Sequence, residues 1–195
     1  MTRFVWVGLF GMIVLNSATA DDKPQTDDEK AALAAIIKAG APGEAHQKLE
    51  PMIGEWDLAV KTWMGPGRDP TETKGTASHH WILGKRYLHQ DVKGEFAGQK
   101  FEGAALLGYD NLKKKYFSAW IDNMSTALSV AEGDVDASGK VFTFFHDDIN
   151  PVSQQKMRTK DVVTILDEDR MKLESFKLGG GHEIKTMEIS YTRKK

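Results

Sequence analysis

Six histidines and no cysteine set the chemistry open to this chain. Thiolate nucleophiles and cysteine-type metal ligation are excluded, so any metal would rest on imidazole and carboxylate. His79 and His80 stand side by side in a segment of strand character. Consecutive side chains of a strand point to opposite faces, so these two cannot share an ion as neighbours. A two-residue turn at Gly84-Lys85 changes the picture. It sets Leu83 against Arg86, Ile82 against Tyr87, Trp81 against Leu88, His80 against His89 and His79 against Gln90. Directly opposed residues lie about 5 Å apart, close enough for His80 and His89 to share a divalent metal, with Asp91 or Ser78 as a further ligand. The competing reading is two solvent-facing histidines.

The other face of that hairpin carries His79, Trp81, Leu88, Gln90 and Val92. Its apolar members assign it inward. His79 and Gln90 are then polar groups in an apolar wall, and buried polar groups need partners. Either a bound ligand or a mutual cross-strand hydrogen bond would serve. The segment 115–123 offers Ser118, Trp120 and Asp122 on one face and Phe117, Ala119 and Ile121 on the other, and both orientations stay open. His146-Asp147-Asp148 reads as the end of a strand entering a solvated acidic loop. A cation there would lack the Asp-x-Asp-x-Asp-Gly spacing of a calcium loop. No Gly-x-Ser-x-Gly elbow occurs, and Gly179-Gly180-Gly181 is followed by neither Lys-Ser/Thr nor a helix. Glu132, Glu174 and Glu188 fall within strands at separations the sequence does not define, so no paired-carboxylate mechanism is argued.

The elements that must position these residues are mostly strands. Met1-Thr2-Arg3, the apolar run Phe4 to Leu15 and Ala18-Thr19-Ala20 read as a signal peptide over residues 1–20, too short in its apolar part to span a bilayer. Residues 21–43 read as a polar tail followed by a helix from about Glu29 to Ala39, capped by Asp27 or Asp28 and ended by Gly40 and Pro42. Residues 44–195 read as one domain of about 150 residues, enough for a sizeable core without disulfides. Leu49, Met52 and Ile53 precede Gly54-Glu55-Trp56 and are suited to plug an end of it. From Glu55 onward the apolar period is two. Breakers at 65–70, 84–85, 94–98, 110–111, 137–139, 148–151 and 179–181, with shorter breaks at 124–125 and 168–169, divide the chain into about ten strands. Short links and no crossover helix specify an antiparallel meander. An open sheet of this size would leave two bare edges, so closure into an all-β, up-and-down barrel is expected, with the short helix outside it. Pairing of the first and last strands would lay Arg193 over the indole of Trp56.

Together, Gly54-Glu55-Trp56, Trp81-Ile82-Leu83-Gly84-Lys85-Arg86-Tyr87-Leu88, Phe101-Glu102-Gly103, Gly108-Tyr109-Asp110, Trp120 with Asp122 and Glu188-Ile189-Ser190-Tyr191-Thr192-Arg193 resemble the bacterial family catalogued as domain of unknown function 1579. The resemblance covers about His46 to Arg193. It implies a calycin-like barrel similar to lipocalins, fatty-acid-binding proteins and nitrobindins, and it implies no established activity. Nitrobindins open with a Gly-x-Trp-x-Gly-x-Gly-like run. Here Asp57-Leu58-Ala59-Val60 follows Trp56, so the later glycines are missing, while His182 stands before the last strand.

The functional expectation is an exported, periplasmic or extracellular soluble barrel that binds a small, largely apolar ligand and is not an enzyme. Trp56, His79, Trp81, Gln90, Ser118, Trp120 and Asp122 are the cavity candidates, and His80 and His89 the metal candidates. No cofactor is specified. Charges of both signs are mixed over a formal net charge of −2, which argues against nucleic acid. No membrane span remains after signal cleavage, and the oligomeric state is left open. The alternatives are an enzyme or a haem or metal protein using His79, His89 or His182, and an envelope interaction module whose barrel is filled by its own side chains.

Overall fold

The computed structural model describes residues 26–65, 67–151 and 153–195. The expected signal peptide lies outside the described residues. Residues up to Ile36 and residues from Ile37 form two separate units. Most of helix α1 (Asp27–Ala39) falls in the first. Its cap is Thr26, one residue earlier than expected. The Thr26 amide donates to Glu29 Oε2 at 2.8 Å and the Glu29 amide to Thr26 Oγ1 at 3.3 Å. This is the reciprocal pattern of a Thr-x-x-Glu capping box.

The second unit is a ten-stranded barrel: β1 (Gly54–Thr62), β2 (Thr71–Ile82), β3 (Tyr87–Phe96), β4 (Gln99–Asp110), β5 (Lys115–Asp122), β6 (Ser129–Val135), β7 (Val141–Ile149), β8 (Lys156–Ile165), β9 (Arg170–Gly179) and β10 (His182–Arg193). Each strand pairs antiparallel with its sequence neighbours, and β10 returns to β1 with Trp56 opposite Arg193 and Leu58 opposite Tyr191. The edge problem is thereby solved by closure, as expected. Hairpin chemistry is local. The two residues between β9 and β10, Gly180 and Gly181, both have positive φ, the requirement of a tight hairpin turn matched to strand twist.

The β2–β3 register is Ile82 to Tyr87, Trp81 to Leu88, His80 to His89 and His79 to Gln90. This is the pairing read from the turn, although the ladder stops at Ile82 and Tyr87 and the connection is four residues long. Leu83, Gly84 and Lys85 all take positive φ there. In β5, Tyr116 settles the orientation. It is buried, and its hydroxyl donates to the Ala45 carbonyl at 2.9 Å. Ser118, Trp120 and Asp122 share its inward face, and Ile121 is left exposed.

One barrel end is closed by helix α2 (Glu44–Gln47) and the 3-10 turn Glu50–Met52. Leu49 and Met52 are fully buried, and Ile53 packs against them partly covered. Trp56 Nε1 donates to the Met52 carbonyl at 3.0 Å. Arg193 stacks on the Trp56 ring, its Cζ 4.2 Å from the centroid, and donates to the carbonyls of Ile53 at 2.6 Å and Pro51 at 2.9 Å. Gly54 has φ +134°, and a Cβ there would lie 2.3 Å from Arg193 Nη1. The Gly-x-Trp opening and the terminal arginine are therefore parts of one joint.

Candidate ligand cavity

Ten strands enclose more space than their side chains fill. A cavity of about 480 Å³ runs from the plug towards the opposite end, within the range of small-molecule sites. Most of its wall is apolar, with Leu58, Val60, Val92, Leu107, Phe144 and Ile189 contributing from strands all around the barrel.

His79 stands at the floor, 2% exposed. Its Nδ1 lies 2.9 Å from the Met52 carbonyl. A carbonyl only accepts, so Nδ1 carries the hydrogen and Nε2 presents a lone pair. Burial outweighs that carbonyl's pull and lowers the pKa to about 4, so the ring is neutral at physiological pH. Nε2 is buried and has no hydrogen-bond partner among the described residues. The rings of Tyr191 and Trp56 flank it at 6.0 and 6.3 Å. Gln90 also lines the cavity. It does not take the role of mutual partner, because His79 bonds to the plug instead.

The remaining expected residues divide. Ser118, Trp120 and Asp122 line the cavity. Trp120 Nε1 donates to Asp122 Oδ2 at 2.8 Å, and its ring stacks on Phe101. Trp56 and Trp81 do not line it. Trp56 is locked in the joint with Arg193, and Trp81 Nε1 reaches past the floor to Glu50 Oε2 at 2.8 Å. The inward phase of Trp81 is right, but its level on the strand falls alongside the plug. His80 and His89 lie on the outer face with ring centroids 5.0 Å apart. His182 is exposed at the β9–β10 hairpin.

His146 overturns an expectation. β7 runs on through Ile149, so His146 and Asp148 are strand residues and not a solvated loop. The ring turns inward. Nδ1 meets Asp148 Oδ2 at 2.7 Å, and Nε2 meets Asp161 Oδ2 at 3.2 Å. Asp161 also accepts from Ser175 Oγ at 2.6 Å. Ser129 Oγ lies 2.9 Å from Nδ1 and donates to Asp148 Oδ1 at 3.2 Å. Asp161 leads the influences that raise the pKa of His146, against partial burial. A serine, a histidine and an aspartate in contact invite a nucleophilic reading. The geometry opposes it. Carboxylates engage both ring nitrogens and favour the imidazolium, which has no lone pair for a serine proton, while Ser129 already donates to Asp148. The cluster is a satisfied polar band in the cavity wall. The period-two spacings His146/Asp148 and Thr159/Asp161 were visible in the sequence, but the pairing of β7 with β8 was needed to join them.

Neither do the mid-strand glutamates form an acid–base pair. Glu174 and Glu188 oppose each other across β9 and β10, and Lys185 Nζ joins them at 2.5 and 2.8 Å. Glu132 pairs with Lys113 at 2.7 Å.

These features define a class: a closed antiparallel barrel, plugged at one end, with a largely apolar internal cavity. The chain belongs to the family described as protein of unknown function (DUF1579), whose model matches residues 41–193. Among solved structures it is similar to Rv2717c from M. tuberculosis, at 13% identity and a TM-score of 0.58, over 80% of this chain and 100% of that one. At that identity the likeness shows the fold alone. No curated protein matches the chain in sequence.

Proposed function

We propose that this barrel is a binding protein for a small, largely apolar molecule carrying one hydrogen-bond donor. The observation that carries the reading is His79: a neutral, buried imidazole whose Nε2 has no protein partner, at the floor of an apolar cavity of about 480 Å³. A buried acceptor left unmade costs about 1–3 kcal/mol, which a donor group on a ligand would recover. The atom is fully covered, so the ligand group reaches it as neighbouring side chains give way. Gln90, Ser118, Trp120 and Asp122 are the further contacts we assign to the site. The open cavity argues against a barrel filled by its own side chains. Among the described residues no helix is long and apolar enough to cross a membrane. Residues 1–20 support an exported protein that meets its ligand outside the cytoplasm.

The test is native mass spectrometry on protein purified from its own envelope, followed by titration of the delipidated protein with an environment-sensitive apolar fluorophore. The expected result is a retained small molecule and saturable fluorophore binding that Ala105→Leu or Ala131→Leu abolishes, since both alanines line the cavity. Fluorophore binding unaltered in both folded variants would refute the reading.

One observation favours a second reading, a haem site. An imidazole with Nδ1–H held by a carbonyl and Nε2 unpartnered is prepared to ligate a metal. His79 fits that role, whereas His89 and His182 do not line the cavity. Bound haem would supply binding of a small gas or one-electron chemistry, and His79 would hold it within an apolar surround. Haemin titration separates the readings. A Soret shift lost in His79→Ala supports haem, and an unchanged spectrum supports the apolar ligand.

A further inference from the structure

The outer surface of β2 and β3 carries a second constellation, unconnected with the cavity. We propose that His80, His89 and Asp91 form a binding site for a divalent transition metal of the zinc type. Alternation along β2 sends His79 inward and His80 outward, so the two adjacent histidines serve different faces of the wall. His80 and His89 are direct cross-strand partners with ring centroids 5.0 Å apart. Asp91 follows two residues after His89 on the same face of the same strand. One ligand atom from each of the three lies within 4.8 Å of the other two.

Tetrahedral zinc with ligands at about 2.0–2.1 Å holds its donor atoms about 3.3 Å apart. From the widest spacing of 4.8 Å the set has about 1.5 Å to close, a distance shared between two side chains. The scaffold is two regular strands, which hold ligands better than loops do. The ligands are also poorly used otherwise. His89 Nδ1 is buried without a hydrogen bond, and Asp91 Oδ2, at 3.3 Å, is badly aligned to supply one. Across β4 the direct partners of His89 and Asp91 are the apolar Leu106 and Ala104, and the next pair on that face is Lys93 with Glu102. Imidazole and carboxylate donors suit zinc, copper or nickel better than magnesium or calcium. Three protein ligands leave a coordination position open to water.

The test is isothermal titration of the full chain, stripped with chelator, with Zn2+ alone, alongside thermal melting with and without the ion. We expect one saturable site per chain and a rise in Tm on adding Zn2+. His80→Ala and His89→Ala each lose both effects, and Asp91→Asn weakens them. His182→Ala, an exposed histidine elsewhere, leaves them unchanged, and Mg2+ does not compete. All four positions are at the surface or partly exposed, and circular dichroism confirms that the variants fold. No saturable Zn2+ binding by the wild type, or unaltered binding by His80→Ala and His89→Ala, overturns the proposal.

Discussion

Replacing Arg193 by alanine should loosen the joint where the barrel closes. The guanidinium donates to three carbonyls, those of Ile53 at 2.6 Å, Pro51 at 2.9 Å and Glu168 at 2.7 Å. It also covers the Trp56 ring, with Cζ 4.2 Å from the centroid. A hydrogen bond from a charged donor is worth about 1.5–3 kcal/mol when buried. Arg193 is 27% exposed, so water re-solvates part of what it leaves, and about 1 kcal/mol per bond is the fairer figure. The stacked cation adds about 1 kcal/mol. Arg193→Ala should therefore cost about 4 kcal/mol, or about 8–16 °C in Tm for a domain of this size. Arg193→Lys keeps a charge above the indole, but one ammonium cannot span three carbonyls in different directions. It should lose about half as much. Urea unfolding followed by near-ultraviolet dichroism, which reports the packing of Trp56, measures both. A loss below about 1 kcal/mol for the alanine variant, or a lysine variant as stable as wild type, would show that the joint does not hold the barrel shut.

Other expectations follow from the buried histidines and the close-packed wall. His79 has a folded pKa lowered by burial to about 4 from 6.5, so the unfolded chain binds the extra proton between those values. Its stabilising contribution is complete above pH 6.5 and falls by about 3 kcal/mol as pH drops to 4. In His79→Gln the pH dependence of urea stability across that window should flatten by up to one proton, and an unchanged slope would contradict the assignment. His146 behaves oppositely. Its pKa is raised, first by Asp161, so its contribution is complete below pH 6.5 and is lost as pH rises through the folded value. NMR titration should find His146 titrating above His79, and Asp161→Asn should bring it down; no movement would refute the pairing. In Gly133→Ala the new Cβ would lie 2.2 Å from the Thr143 carbonyl oxygen and 2.9 Å from Phe144 Cα. Backbone of the neighbouring strand cannot yield cheaply, so chemical denaturation should show a loss of about 3 kcal/mol.

Period-two alternation from Glu55 to Arg193 and frequent breakers determined the meander by themselves, because side-chain direction in a strand depends only on parity. The β2–β3 register was legible for a related reason. A hairpin register is set by where its turn is centred, so His80 could be placed against His89 even though the turn proved to be four residues long. Closure followed from the need to cover edges, and Gly54, Trp56 and Arg193 marked the seam. Tertiary structure decided what parity leaves open. Which face of β5 turns inward rests on the Tyr116 bond to Ala45, 71 residues away in sequence. The tautomer of His79 rests on Met52, 27 residues away. Ser129, His146, Asp161 and Ser175 come from four strands, and only the pairing of those strands joins them. How far along the barrel each inward residue stands also depends on the plug, which is why Trp56 and Trp81 lie beside the closed end while Trp120 lines the cavity. Local order follows from backbone geometry and was readable; the site is an encounter of distant segments, fixed only when the whole barrel closes.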